Sequence, residues 1–464
     1  MPPFAGMIER RASIRENQFE CQLRNEQNTV IWLETSSHIG SMPLNTPVKL
    51  FRIFCILCAM ATLSARSADN DIAALAREPH ADRALDWLGK NLDWITEQQI
   101  RLTEIPAPEF SEGERGAAVK KLFESAGLKV RVDSTGNVIG ERFGKDRNQV
   151  ILLTAHMDTV FPAGTDVRVK RDGRRLRGPG IADNGAGLAA LIGAARAMEA
   201  GKLQTGMTIA FAGDVGEEGE GNLRGIRALV EDFGTRLRAV IAVDGASTDY
   251  VTTQGLASRR IEATVTGPGG HSWSDFGAPN PITALSRGIV RFSSTSVPQS
   301  PRTSFNFGII EGGTSVNSIP NRAAVKVDLR SEDDLELTKL EVTLRDAMQA
   351  GLAAENAAGE RGSEQLKIEF KMLGVRPGGK LAKDSALLAA ISNVDAYLGN
   401  ATRQERSSTD ANLPLSMGIP AIAIGGGGQG GGSHSLDEWY DPTDRIVGLK
   451  RILLATLAIS QSKL

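Results

Sequence analysis

The apolar positions beyond residue 69 follow two kinds of order. A helical spacing (Ile72, Leu75, Ala76, then Leu85, Leu88, Leu92 and Ile95) comes first. A second helix is predicted near 117–126, and strands at 129–133 and 138–142. The unbroken run Val150-Ile151-Leu152-Leu153 predicts a buried strand ending at His156. From there the runs alternate, helical at 185–201, extended at 207–212, helical at 222–233 and extended at 239–243. Such alternation predicts a layered α/β domain with a largely parallel sheet.

Between 259 and 373 the order changes to extended 260–266, helical 281–292, extended 304–310, extended 323–330, helical 333–353 and extended 366–372. This β-α-β-β-α-β series is the ferredoxin-like order. The α/β pattern then resumes with a helix at 385–398, a strand at 421–424 and a last helix near 445–460. An inserted lid domain (259–373) within a main domain (69–258 and 374–464) is the economical reading. It places a site in the cleft between the two.

The first 68 residues read differently. They hold all three cysteines, Cys21, Cys55 and Cys58, and a basic start at Lys49 runs into a short apolar stretch ending near Ala61. The stretch is too short for an ordinary transmembrane helix. With Ser64-Ala65-Arg66-Ser67-Ala68 behind it, a secretory signal peptide cleaved between about 65 and 68 is the expectation, which makes the protein secreted and periplasmic. The alternative is a retained apolar helix. Met42 stands just before this unit, so residues 1–41 can be an upstream extension. Cleavage would leave a mature chain without cysteine, and so without disulfides or thiolate zinc sites.

Composition narrows the function. A net charge of −2 over 464 residues gives no global attraction to nucleic acid or anionic membrane, and 5% aromatics disfavour a base-stacking platform. The expectation is therefore no nucleic-acid partner and no membrane association after signal cleavage.

Chemistry gathers in five short segments: His156-Met157-Asp158, Gly178 to Gly185 around Asp183, Glu217-Glu218-Gly219, Val243-Asp244-Gly245 and Ser433-His434-Ser435. Four follow or flank predicted strands of the sheet, so they can converge on one edge, where open α/β sheets keep their sites. Two imidazoles with carboxylates and no thiolate suit a pair of Zn²⁺ ions or a harder divalent pair, and one carboxylate can serve both ions. Each segment has a plain reading too. Asp183 suits the N-cap of the helix from 185, Glu217-Glu218 a solvated loop, Asp244-Gly245 a turn, and His434 a residue of the glycine-rich loop before it. The joint occurrence in this order decides for chemistry.

Taken together, the segments resemble the M20 family of dinuclear zinc peptidases, in particular its glutamate-carboxypeptidase-like branch, over about residues 85–460. The resemblance implies an α/β fold with a mostly parallel-sheet catalytic domain and the inserted ferredoxin-like lid/dimerisation domain. It implies two Zn²⁺ per chain, with Co²⁺ or Mn²⁺ also compatible with these donors. His156 and Asp244 would hold one ion, Glu218 and His434 the other, and Asp183 would bridge them. Asp158 would fix the His156 ring from behind, and Glu217 would be the general base.

In the lid, His271 resembles a residue that reaches the partner subunit's active site, which implies a homodimer. Asn317 and Arg330 match positions that bind the substrate's carboxylate end, and Arg376 is a weaker candidate for the same task. The segment Ser408-Thr409-Asp410-Ala411-Asn412 resembles one lining the cleft, with no step assigned to it.

The implied activity is cleavage of an amide next to a free carboxylate. It would release a C-terminal amino acid, glutamate being one candidate, from a short peptide or N-acyl conjugate. An N-acyl amino acid deacylase or an aminotripeptidase is the alternative within the class, and a metal-stabilised binding protein without turnover is the alternative outside it. An unligated base such as Glu217 argues against the last.

Overall fold

The computed structural model describes residues 71–360 and 363–462; the expected signal segment lies outside them. After a helical stretch at 71–77, the opening pattern continues as the helices Pro79–Lys90 and Leu92–Thr103, divided at Asn91. Glu78 caps the first by accepting from the backbone N–H groups of His80 and Ala81.

The main sheet has nine strands, and its centre is parallel. Asp146–His156 pairs in parallel with both Met207–Asp214 and Leu237–Val243, and Ala421–Ile424 adds to the far side of Leu237–Val243, again in parallel. Antiparallel strands extend it on both sides. Val150 to Leu153 are fully buried, as are Ile209 to Ala212 and Ala239 to Ile241, so these strands carry side chains into helix-covered layers on both faces. At about 1.5–3 kcal/mol for each large apolar side chain, that burial is what holds the strand ends in place.

The inserted unit has its own sheet and its own apolar core. Strand Ala257–Thr266, helix Pro281–Ser293, strands Thr303–Gly312 and Arg322–Ser331, helix Asp334–Ala358 and strand Lys367–Arg376 follow one another. Numbered along the chain, its four strands lie in the spatial order 2-3-1-4, all antiparallel, which is the ferredoxin-like arrangement. Phe292, Phe305 and Phe307 stack between sheet and helix.

Several short elements carry no periodicity that reveals them: the hairpin Lys170–Asp172 with Arg175–Arg177, and the strands Tyr250–Gly255 and Arg403–Ser407. Arg403–Ser407 is charged at most positions because it runs along the sheet's rim.

A buried ion pair ties the last helices to the site. Arg451 and Asp395 meet through two hydrogen bonds of 2.7 and 2.8 Å, both side chains nearly inaccessible. Arg451 also donates to the carbonyl of Tyr250, whose hydroxyl donates to the carbonyl of Asp244. Removing one partner strands the other charge in the interior. Asp395→Ala is therefore expected to lower unfolding stability by about 3–5 kcal/mol, read from denaturant midpoints.

Candidate metal centre

The carboxyl ends of the parallel strands bring the sequence segments together. His156 is the last residue of its strand, Asp244 follows the end of Leu237–Val243, and Glu217 and Glu218 follow Met207–Asp214. Asp183 precedes the helix Gly185–Ala200, but the cap of that helix is Asn184, whose side chain accepts from Gly187 N–H at 3.1 Å. Asn184 also accepts from Gly245 N–H and donates to the Val243 carbonyl, so it laces the Asp183 loop to the Asp244 loop. A Cβ at Gly187 would stand 2.0 Å from the Asn184 side chain, hence glycine there. Capping by Asn184 leaves the Asp183 carboxylate free to face the cleft.

Its two oxygens point in two directions. Asp183 Oδ1 is 3.2 Å from His156 Nε2, and Oδ2 is 3.4 Å from His434 Nε2. On the first side Asp244 lies 3.6 Å from His156; on the second, Glu218 lies 2.8 Å from His434. Two sets of one imidazole and one terminal carboxylate thus share one carboxylate between them, and their donor atoms are close enough to converge on cations.

The electrostatics agree. Hydrogen bonds to Asp183 and Glu218 push His434 up to about 10. Burial alone would lower His156, yet Asp183, Asp244 and Asp158 hold it well above its ordinary value. Asp183, despite burial, is kept below the usual carboxylate range by the two imidazoles. A site of this charge attracts cations, and its donors fit a pair of Zn²⁺ or similar ions.

Asp158 is fully buried, and its carboxylate accepts from the backbone N–H groups of Glu217 and Glu218 at 3.1 and 2.8 Å. His156 Nδ1 is 3.1 Å from the Asp158 main-chain oxygen and 3.7 Å from its carboxylate. The segment therefore steadies the ring through its backbone and the Glu-Glu loop through its side chain. Burial pushes Glu217 up to about 8 against the pull of Arg376.

Arg376, the weaker candidate for the substrate's carboxylate end, lines the cleft beside these donors and is engaged there by protein groups. It is buried, 2.8 Å from Glu217 Oε1 and 3.1 Å from Ser408 Oγ, and it also donates to the Glu217 carbonyl. The separation of these residues along the chain hides that pairing from sequence.

Three further groups stand around the site, and of their residues only Asp410 lies in a segment that the sequence marks. Glu438, wholly buried, accepts from the backbone N–H groups of Gly180, Ala182 and Asp183 and so fixes the Asp183 loop. Asp214 and Asp410 are both buried behind the site, and burial together with their mutual repulsion raises Asp410 well above the carboxylate range. Arg260 lines the metal cleft beside Arg330, with one guanidinium nitrogen lacking a partner.

Of the lid candidates, Arg330 also lines this cleft, paired to Asp328 at 2.6 Å. His271 and Asn317 do not line it. They sit together on an exposed two-stranded ribbon, where His271 Nδ1 accepts from the N–H groups of Trp273 and Ser274.

An α/β sheet whose edge collects these donors is the fold and site of a metallopeptidase-type hydrolase. Residues 152–458 match the model of peptidase family M20/M25/M40, and the chain belongs to that family. It is 26% identical to the uncharacterized protein YqjE of Bacillus subtilis (strain 168), over 71% of this chain and 89% of that one. Its fold is similar to that of the dipeptidase Dug1p from Saccharomyces cerevisiae, with a TM-score of 0.69 at 13% identity, covering 83% of this chain and 100% of the other. It is similar also to the YXEP protein of Bacillus subtilis, a dinuclear metal-binding peptidase from the M20 family, with a TM-score of 0.57 at 17% identity, covering 81% and 100%.

Proposed function

We propose that the protein is a dinuclear zinc hydrolase that cleaves an amide next to a free carboxylate, releasing a C-terminal amino acid, glutamate among them, from a short peptide or N-acyl conjugate. The observation that carries this is Asp183, with one oxygen toward His156 and the other toward His434, beside a glutamate that a buried arginine holds. His156 and Asp244 would hold one ion, His434 and Glu218 the other, and Asp183 both. Bound ions of this kind polarise a carbonyl and make water acidic enough to attack it at neutral pH.

The rest falls to the chain's own residues. The Glu217 carboxylate takes the proton from the attacking water and passes it to the leaving amine nitrogen. Arg376 keeps that carboxylate aimed, and Asp158 keeps its loop in place through the backbone. Arg260 and Arg330 offer planar, multidentate donors to the substrate's free carboxylate. Short peptides and N-acyl amino acids both present such a carboxylate beside the scissile amide.

A homodimer is part of this reading. Strand Thr303–Gly312 is an edge of the inserted sheet and exposes Ile309 and Ile310, which supports pairing with a second copy and lets His271 reach across. Export to the periplasm follows from the basic-apolar segment before residue 68. The test is release of amino acid from a panel of N-acyl-glutamates, N-acyl-leucines, their carboxamides and tripeptides by the zinc-loaded protein. Cleavage of free acids with little turnover of the carboxamides is expected, and equal rates on both would sink the carboxylate requirement.

A further inference from the structure

Next to the metal cleft lies a larger cavity of about 720 Å³, walled by both the main sheet's rim and the inserted unit. The metal cleft itself measures about 340 Å³. The two share Arg330, Glu405, Ser407 and Ser408 as lining, so a molecule that meets Arg330 from the metal side can continue past it. A cavity of this size takes a drug-sized group, more than one carboxylate needs.

Its charge is lopsided. The wall carries five cationic side chains, Arg302, Arg330, Lys380, Lys383 and Arg406, against two anionic ones, Glu332 and Glu405. Both acids are already engaged, Glu332 by Arg406 at 2.9 Å and Glu405 by Arg403 at 2.9 Å, and Arg330 is paired with Asp328. That leaves Arg302, Lys380 and Lys383 with no ion pair among the described residues. They come from separate places. Arg302 directly precedes the inserted strand Thr303–Gly312, and Lys380 pairs in register with Gln254 at the end of a main-sheet strand. Lys383 lies three residues beyond Lys380. Like charges gathered around one concave space repel one another, and an anion placed among them is attracted by all three.

Resting on the amide-hydrolase reading, we propose that this cavity is a second anion subsite for the leaving portion of the substrate. The first carboxylate is met by Arg260 and Arg330, and a further anionic group, farther along the same leaving segment, is met by Arg302, Lys380 and Lys383. The preferred substrate class is then an amide whose leaving portion is a single amino acid with an acidic side chain.

The experiment compares two substrate series on the zinc-loaded protein, identical in acyl group. One has glutamate or aspartate as the leaving amino acid, the other glutamine or asparagine. The acidic series is expected to have a KM roughly tenfold lower at low salt, with kcat little changed. Lys380→Ala/Lys383→Ala should erase that preference while leaving kcat and KM on the neutral series as they were. Arg302→Ala alone should erode it in the same direction. Equal KM for the two series, or a preference that survives the double variant, overturns the proposal.

Binding of tricarballylate, a small tricarboxylate, is measured in parallel by calorimetry. If no amide is cleaved at all, the hydrolase reading fails, and tricarballylate binding to wild type but not to the double variant still upholds the cavity as an anion site. Tricarballylate binding unchanged by the double variant counts against it.

Discussion

Glu217→Gln is expected to lower turnover by about 10²- to 10⁴-fold while metal content, measured by elemental analysis, stays as in wild type. Glutamine keeps the Glu217 volume and can still accept from Arg376 through its amide oxygen, so the buried arginine is not left without a partner. What it loses is the ability to take a proton. Glu217 also stands close to His156 and Glu218, near enough to count as a donor itself. The engagement of its Oε1 by a guanidinium argues for the proton-transfer role, since an arginine and a metal ion compete for the same lone pairs. A fall in metal content alongside turnover would move Glu217 into the ligand set. Glu218, 2.8 Å from His434 and with no arginine on it, should fail in that other way: Glu218→Gln loses metal.

What the sequence made legible was whatever is local. His156, Asp183, Glu217, Glu218 and Asp244 each lie at the end of an apolar run or the start of a helix, and parallel strands bring such ends to one edge by their topology. The β-α-β-β-α-β order was readable for the same reason, because each inserted element has its own period. The groups that steady those residues were hidden because their partners are distant in sequence. Glu438 holds Gly180 across 258 positions, and Arg376 holds Glu217 across 159.

Arg376 illustrates the difference. An arginine near a carboxylate-handling cleft reads as a substrate ligand, and Arg376 does line the cleft, yet its buried guanidinium is already engaged by Glu217 and Ser408. Arg260 also lines the cleft, and beyond its contact with Asp328 one buried guanidinium nitrogen has no partner among the described residues. Its neighbour Arg259 points to Glu341 instead, and strand alternation, not residue type, separates the two.

Asp183→Ala should remove both metal ions at once, whereas His434→Ala should remove one. The reason is geometric: each Asp183 oxygen faces a different imidazole, so Asp183 belongs to both donor sets. A ligand that binds only the folded state raises stability by RT ln(1 + [L]/Kd), about 4 kcal/mol when zinc stands a thousandfold above its dissociation constant. Zinc added to the metal-free wild type should therefore raise its melting temperature by several degrees. The same addition should leave Asp183→Ala nearly unmoved and produce a partial shift in His434→Ala. Asp183 is not part of the apolar core, so the metal-free melting temperature of its variant should stay near that of the metal-free wild type. This separates loss of metal from loss of fold. One ion per chain retained by Asp183→Ala would mean that the two donor sets work independently and would overturn the bridging role of Asp183.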